Sequence, residues 1–168
     1  MIRDCRKIAE DIGLAGALAA MTNYEAGIET LAGDLDRAEA VLRDGTAVLR
    51  RRGETSTVST AVALLARVLE RKGDLEGALE GTRESEAIAA TNDFASQILW
   101  RGVRARVLAR RGEVDAAVRL ARAGTRLAFR TDFLVWHGEA MLDLEAALRT
   151  AGNARAAAEA RRLSGVGG

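Results

Sequence analysis

The hexapeptide Gly73-Asp74-Leu75-Glu76-Gly77-Ala78 has three approximate copies in the chain, and the spacing of the copies decides the fold. The others are Gly33-Asp34-Leu35-Asp36-Arg37-Ala38, Gly112-Glu113-Val114-Asp115-Ala116-Ala117 and Gly152-Asn153-Ala154-Arg155-Ala156-Ala157. The initial glycines therefore recur at an almost constant interval along the chain. A fixed period of about 40 residues is the sequence signature of a stacked structural repeat.

Each copy marks a turn between two helices. Basic residues precede the glycine in Arg71-Lys72-Gly73 and Arg110-Arg111-Gly112, which is typical of a helix C-terminus. The polar or acidic residue after the glycine favours the start of the next helix. The sequence therefore predicts an all-α protein of antiparallel helix pairs, in about four repeats, with helices at 3–11, 14–32, 35–52, 56–72, 75–91, 94–111, 114–131, 133–151 and 154–164. The helix before each initial glycine is named A, and the helix after it is named B.

A second kind of punctuation separates one helix pair from the next. Asp93 and Asp132 lie one repeat period apart and each follows Thr or Asn, so both are predicted to cap the helix that begins after them. The segment Gly53-Glu54-Thr55-Ser56 has the same place one repeat earlier.

Small residues recur in phase with the initial glycines, where helices A and B are expected to approach closely. Seven positions before the glycine stand Ala26, Ala66, Ala105 and, out of pattern, Glu145. Five positions after it stand Ala38, Ala78, Ala117 and Ala157, and twelve after it stand Gly45, Ser85, Gly124 and Ser164. This pattern resembles that of tetratricopeptide repeats (TPRs), although the unit is longer than their usual length of roughly 34 residues and lacks their terminal proline. The resemblance implies a TPR-like α-solenoid.

Two stretches carry a narrower resemblance. They are residues 95–112 and the pair Arg130-Thr131-Asp132-Phe133-Leu134 and Met141-Leu142-Asp143-Leu144-Glu145. Both resemble the C-terminal TPR region of large actinobacterial adenylate/guanylate-cyclase-type proteins. The resemblance implies a helical scaffold associated with signalling proteins, which acts either alone or as a fragment of a larger signalling protein. Neither the cyclase nor the ATPase portion of that family is present, so no catalytic residue is carried over.

Composition agrees with helices and narrows the function classes. The 168 residues suit a single repeat domain over 1–164, with a disordered tail at 165–168. Proline is absent and aromatic residues are only 4%, which argues against a β-sandwich or barrel. The 25 basic and 24 acidic residues nearly balance, so a nucleic-acid partner is not expected.

No membrane or export segment is predicted, and we expect a cytoplasmic protein. The longest uncharged run, 12–24, is too short to span a bilayer. The N-terminal stretch Met1-Ile2-Arg3-Asp4-Cys5 is charged and lacks the apolar core of a signal peptide. With one cysteine, Cys5, the chain has no intramolecular disulfide.

We find no pattern of catalytic residues. The phosphate-binding Gly-x-x-x-x-Gly-Lys-Ser/Thr motif does not occur. His137 is the only histidine, and its spacing to Glu139 and Asp143 does not support a zinc site. The sequence thus predicts a non-enzymatic protein with neither a cofactor nor a metal ion.

One recurrent basic constellation suggests a binding surface. Arg67 and Arg71 stand one helical turn apart in one A helix, and Arg106 and Arg110 take the same places in the next. By resemblance, A helices line the concave face of the array, and Asn23 and Arg149 are added as candidates on that face. Arginine forks suit carboxylates, so we predict binding of a protein or peptide, preferably an acidic one.

Two alternatives stay open in the sequence. The aromatic residues of the last two repeats form either core or a ligand-binding groove; they are Phe94, Trp100, Phe129, Phe133 and Trp136. The short terminal helices also predict association at the ends of the array, either as a homodimer or with a larger partner. An exposed apolar stripe on the last helix would support this association; its members are Ala156, Ala157, Ala160 and Leu163.

Overall fold

The structure is a computed structural model that describes residues 2–152 and 154–164. Within these residues every regular element is an α-helix: α1 (Ile2–Asp11), α2 (Ala15–Ala32), α3 (Leu35–Arg51), α4 (Thr55–Lys72), α5 (Leu75–Ile88), α6 (Phe94–Arg110), α7 (Val114–Ala128), α8 (Leu134–Thr150) and α9 (Ala154–Leu163). The all-α prediction is confirmed. The A helices are α2, α4, α6 and α8, and the B helices that follow them are α3, α5, α7 and α9.

The chain divides into two compact units, residues 1–90 and 91–168. In unit 1, α2 packs against α1, α3 and α4, and α4 packs against α3 and α5. In unit 2, α6 packs against α7 and α8, and α8 packs against α7 and α9. Each unit is thus a stack of antiparallel helix pairs. The single domain over 1–164 stays an expectation, and the predicted tail at 165–168 lies outside the described residues.

The repeat glycines end helices as predicted. Gly33 and Gly73 adopt left-handed conformations with φ of 86° and 90°, which glycine enters without the steric cost that a Cβ imposes. The next helix is capped by the side chains of Asp34 and Asp74, each of which accepts a hydrogen bond at 2.9 Å from the backbone N–H three positions later.

The junction aspartates behave differently from each other. The Asp93 carboxylate accepts a hydrogen bond at 3.1 Å from the Ser96 backbone N–H and caps α6 as predicted. The predicted cap at Asp132 is wrong, because α8 begins one position later than expected and Phe133 occupies its N-cap position. A phenylalanine side chain cannot accept a hydrogen bond, and this helix start has no side-chain cap.

Two B helices end about one turn earlier than predicted. Helix α5 stops at Ile88 because Ala89 takes an extended conformation, with ψ of 124°. Helix α7 stops at Ala128, where the Thr131 hydroxyl donates a 2.8 Å hydrogen bond to the Ala128 carbonyl and closes a turn. Both stretches of sequence are helix-compatible, so local side-chain bonds and backbone conformation decide the ends.

Most of the small positions are buried at helix–helix contacts, as expected, whereas Ser164 is only half-buried. Four of the predicted alanines are fully buried: Ala66, Ala78, Ala105 and Ala117. Gly45, Ser85 and Gly124 are also buried. A Cβ added to Gly45 would collide with the Thr22 side chain, so α2 and α3 approach closely at that point. The side chain of Ala157 lies outside the described part of the structure.

Glu145, the exception in this pattern, is accommodated by ion pairs. Its carboxylate is paired with the Arg149 guanidinium one helical turn away, and Oε2 lies 3.9 Å from Arg161 Nη1 on α9. A charged group can replace the alanine here because cations neutralise it at the α8–α9 contact.

The predicted exposed stripe on α9 is wrong in part, since Ala160 is buried against Met141 and Leu148 of α8.

Candidate partner-binding surface

The first arginine pair lies on α4 in unit 1. Arg67 is half-buried, and Arg71 is exposed in the last turn of the helix. The neighbouring Lys72 turns away to α3, where its Nζ lies 2.5 Å from Asp36 Oδ1 and 2.7 Å from Glu39 Oε2. Arg71 is therefore the residue of this helix end that offers an exposed guanidinium.

These ion pairs also shift two pKa values. Hydrogen bonds from Lys72 and then Arg43 hold the pKa of Glu39 below its ordinary value of 4.5. The pKa of Lys72 is raised above its ordinary 10.5, first by the hydrogen bond to Asp36 and then by the bond to Glu39. Lys72 thus acts as a tie between α3 and α4.

The second arginine pair lies on α6 in unit 2, and its members differ in role. Arg106 Nε lies 3.1 Å from Oδ1 of Asp143, a residue of α8 that is buried. Arg106 therefore ties two adjacent A helices together. Arg110, the last residue of α6, is exposed. The two arginine pairs belong to different units, and a single four-arginine patch stays a prediction.

The two further candidates for partner binding, Asn23 and Arg149, lie in less favourable environments than the exposed arginines. Asn23 on α2 is half-buried, and its Oδ1 is buried with no hydrogen-bond partner among the described residues. Arg149 on α8 is exposed, but its guanidinium is paired with Glu145. Arg149 thus neutralises a buried carboxylate of its own helix.

The aromatic residues of unit 2 divide between core and surface. Trp100 is buried, with Arg101 and Arg104 stacked over its ring, whereas Phe94 and Trp136 are half-buried around Ile98. Between the end of α7 and the start of α8, a cluster of four apolar side chains is more than half exposed; it comprises Phe129, Phe133, Leu134 and Val135.

His137 has a structural environment beside this cluster. Its ring stacks on Phe129 at a centroid distance of 4.5 Å. Its Nε2 lies 2.8 Å from the Thr131 carbonyl oxygen and donates a hydrogen bond to it in the corresponding tautomer. Over residues 2–152 and 154–164, no three side chains of the His, Cys, Asp and Glu types come together as metal ligands.

A groove in unit 1 was missed by the sequence reasoning. It has a volume of about 320 Å³ and lies between the B helices α3 and α5, over α4. Its floor is apolar, and its rim carries arginines on α3 and glutamates on α5, with Arg50 and Glu84 paired across it. Its lining residues come from three consecutive helices, so no pattern within a single helix indicates it.

None of the described helices is long and apolar enough to cross a membrane.

Comparison with known proteins places the fold. No protein-family model matches the sequence, and no curated protein matches it. Among solved structures, BtubC (BKLC) from P. vanneervenii is similar over 90% of this chain, with a TM-score of 0.65 and 14% identity. The chain spans 63% of the length of that structure.

A second similar structure is a putative kinesin light chain from Podosopora anserina with nearly identical TPR-like repeats. The match covers 97% of this chain and 91% of that structure, at 15% identity and a TM-score of 0.49. The similarity to BtubC, together with the antiparallel helix pairs and their regular period, shows that the chain has a TPR-like α-solenoid fold.

Proposed function

We propose that this protein is a non-catalytic interaction module that binds acidic protein segments on the face that the A helices form within each unit. The observation that carries the proposal is the recurrence of an exposed arginine two positions before the repeat glycine, Arg71 in unit 1 and Arg110 in unit 2. Helical repeats present extended surfaces to protein partners. A guanidinium group offers a planar set of donors that matches a carboxylate.

The charge of the whole chain supports a short acidic segment over a nucleic acid. The net charge is only +1, so any attraction to a polyanion must come from local groups. Arg67 and Arg106 lie one turn before the exposed arginines and are half-buried. In this proposal they shape the surface, while Arg71 and Arg110 make the contacts.

The test is charge reversal of Arg71 and Arg110 to glutamate. The probe is a fluorescein-labelled peptide of alternating Asp, Glu and Gly, followed by fluorescence anisotropy. We expect the wild-type protein to bind it and R71E/R110E to bind at least about tenfold more weakly, because two charge-assisted pairs are lost and two repulsive charges replace them.

The matched control is R83E/R119E, which reverses one exposed arginine on a B helix of each unit. It changes the net charge equally and should leave the affinity within about twofold of wild type. Equal losses in both variants would show general charge attraction and contradict the proposal, as would absence of binding by the wild-type protein.

The narrower resemblance to the repeats of cyclase-type signalling proteins belongs to this proposal. This resemblance supports a regulatory protein as the partner. The similarity to solved structures supports the fold alone. Self-association is a second candidate, favoured by the exposed side chains of Phe133, Leu134 and Val135 at the start of α8.

A further inference from the structure

The α1–α2 hairpin repeats the turn and the adjoining helix ends of the α3–α4 hairpin one repeat period later, although α1 has 10 residues and α3 has 17. Gly13 and Gly53 have φ of 77° and 72° in the two connections. In each turn the next residue donates a backbone hydrogen bond to the same helical position: Leu14 N–H to the Ala9 carbonyl at 2.9 Å, and Glu54 N–H to the Leu49 carbonyl at 3.1 Å. Each residue of the first hairpin therefore has an equivalent in the second.

The packing of helix α2 shows what kind of element the α3–α4 hairpin binds. It packs against both α3 and α4, and three of its residues spaced by four, Leu18, Thr22 and Ala26, are at most 3% exposed. Thr22 lies against Gly45 of α3. Ala26 packs in one cluster with Val68 of α4. A single helix thus covers the groove between α3 and α4.

The equivalent groove of the first hairpin is open. On α1, Cys5 is exposed where α3 has the buried Gly45. On α2, Ile28 is 54% exposed, whereas its equivalent Val68 is 3% exposed. Ile8 and Tyr24 are exposed as well, whereas their equivalents are half-buried. The same backbone arrangement therefore leaves an apolar face in water on one hairpin and covers it with a helix on the other.

We propose that the α1–α2 groove, formed by Cys5, Ile8, Tyr24 and Ile28, is a docking site for a single amphipathic helix of a partner protein. The helix lies as α2 lies on α3–α4, with apolar residues at positions i, i+4 and i+8. Cys5 has a side chain at the position where Gly45 of α3 has none. The central residue of the partner helix is therefore alanine or glycine, and Thr22 of α2 is the larger side chain that the covered groove admits.

This site is separate from the arginine surface, and its test uses different residues. The probe is a fluorescein-labelled peptide with the sequence of residues 14–33 and the substitution Thr22→Ala. We expect saturable binding measured by anisotropy. The substitutions I28E and I8E, placed on the two helices that form the groove, should each weaken binding at least about tenfold.

Leu31→Glu is the matched control. Leu31 lies on the same helix and is 89% exposed, but its equivalent on α4 is the exposed Arg71, outside the covered groove. L31E should bind the peptide within about twofold of wild type. Circular dichroism of all three variants should match wild type, because each replaced side chain is more than half exposed.

Cys5, the single cysteine, gives an independent readout. Bound peptide should slow the reaction of its thiol with a disulfide reagent. No saturable binding, equal losses in L31E and I28E, or unchanged thiol reactivity would each overturn the proposal. Unchanged reactivity would show that the peptide had displaced α2 from its own groove. The remaining outcome is that Cys5 becomes protected without peptide as the protein concentration rises, together with a doubling of the mass. That result would assign the groove to a second copy of the chain and would also overturn the proposal.

Discussion

At the scale of single residues, the close contact of Gly45 with Thr22 shows how the repeat sets side-chain size. No Cβ fits at residue 45 while Thr22 keeps its place. The Thr22 hydroxyl is buried with no hydrogen-bond partner among the described residues, so it adds bulk at this contact and no bond. Position 45 therefore requires a small residue. The equivalent positions of the next two repeats also hold small residues, Ser85 and Gly124.

Gly45→Ala should lower the free energy of unfolding by about 1–3 kcal/mol, because the added methyl group overpacks the contact. Thr22→Ala removes the colliding atoms and an unsatisfied hydroxyl. The double variant T22A/G45A should therefore recover the stability lost in G45A, measured by urea denaturation in a double-mutant cycle.

Gly27→Ala is the control for helix propensity. Gly27 is exposed in α2, and nothing lies within 4 Å of a Cβ added there. G27A should stabilise the protein by about 0.5–1 kcal/mol, the ordinary gain of alanine over glycine in a helix. A G45A protein as stable as G27A would mean that the α2–α3 contact is looser than described.

Among the helices, ion pairs join neighbours that also pack through apolar contacts. Lys72 ties α4 to α3, and Arg106 ties α6 to α8. The Arg106 pair includes a buried carboxylate, so reversing the charge of Arg106 would place a second negative charge beside it. For this reason Arg106 is unsuited to charge reversal as a binding test, and the exposed Arg71 and Arg110 are used instead.

The Lys72–Glu39 tie predicts a pH dependence. Because the folded-state pKa of Glu39 lies below 4.5, its carboxylate contributes stability above that pH and loses it as the pH falls through the lowered pKa. Glu39→Gln should lower the melting temperature at pH 7 and reduce the drop between pH 6 and pH 3. Thermal melts followed by circular dichroism at both pH values measure this.

Glu80→Gln removes a carboxylate from the exposed rim of the unit 1 groove and serves as the control. It should leave both the melting temperature at pH 7 and its acid dependence close to wild type. A wild-type acid dependence in E39Q would show that the ion pair has no part in coupling α3 to α4.

At the scale of the whole molecule, the exposed apolar cluster at the start of α8 bears on self-association. Leu134 and Val135 are 78% and 71% exposed, and adjacent apolar side chains at this exposure favour contact with another protein surface. On the last helix, only Leu163 of the predicted stripe is exposed among the side chains described there, at 52%.

Light scattering after size exclusion should therefore show a mass above the 17.9 kDa of one chain at high concentration. L134D/V135D should return it to 17.9 kDa, whereas L163D should not. Dissociation by L163D alone would move the interface to α9, and a strict monomer at every concentration would remove self-association.

The sequence by itself determined the repeat. Glycines, caps and small residues act within one or two helical turns of themselves, so the repeat period, the helix pairs and most helix ends could be predicted from residues such as Gly73, Asp74 and Ala78. The errors at Asp132 and at the ends of α5 and α7 arose where a local hydrogen bond or backbone conformation competed with a helix-compatible sequence.

The packing of the helices determines which of these side chains is exposed, and this is not contained in the sequence pattern. Arg106 and Arg110 look alike in sequence, yet only the fold brings Asp143 to Arg106 and leaves Arg110 exposed. Likewise, Ile28 and Val68 are equivalent in the repeat, and only packing shows that α2 helps to cover Val68 while Ile28 stays exposed. The physical reason is that burial and ion pairing depend on residues far apart in the chain, which no local pattern contains.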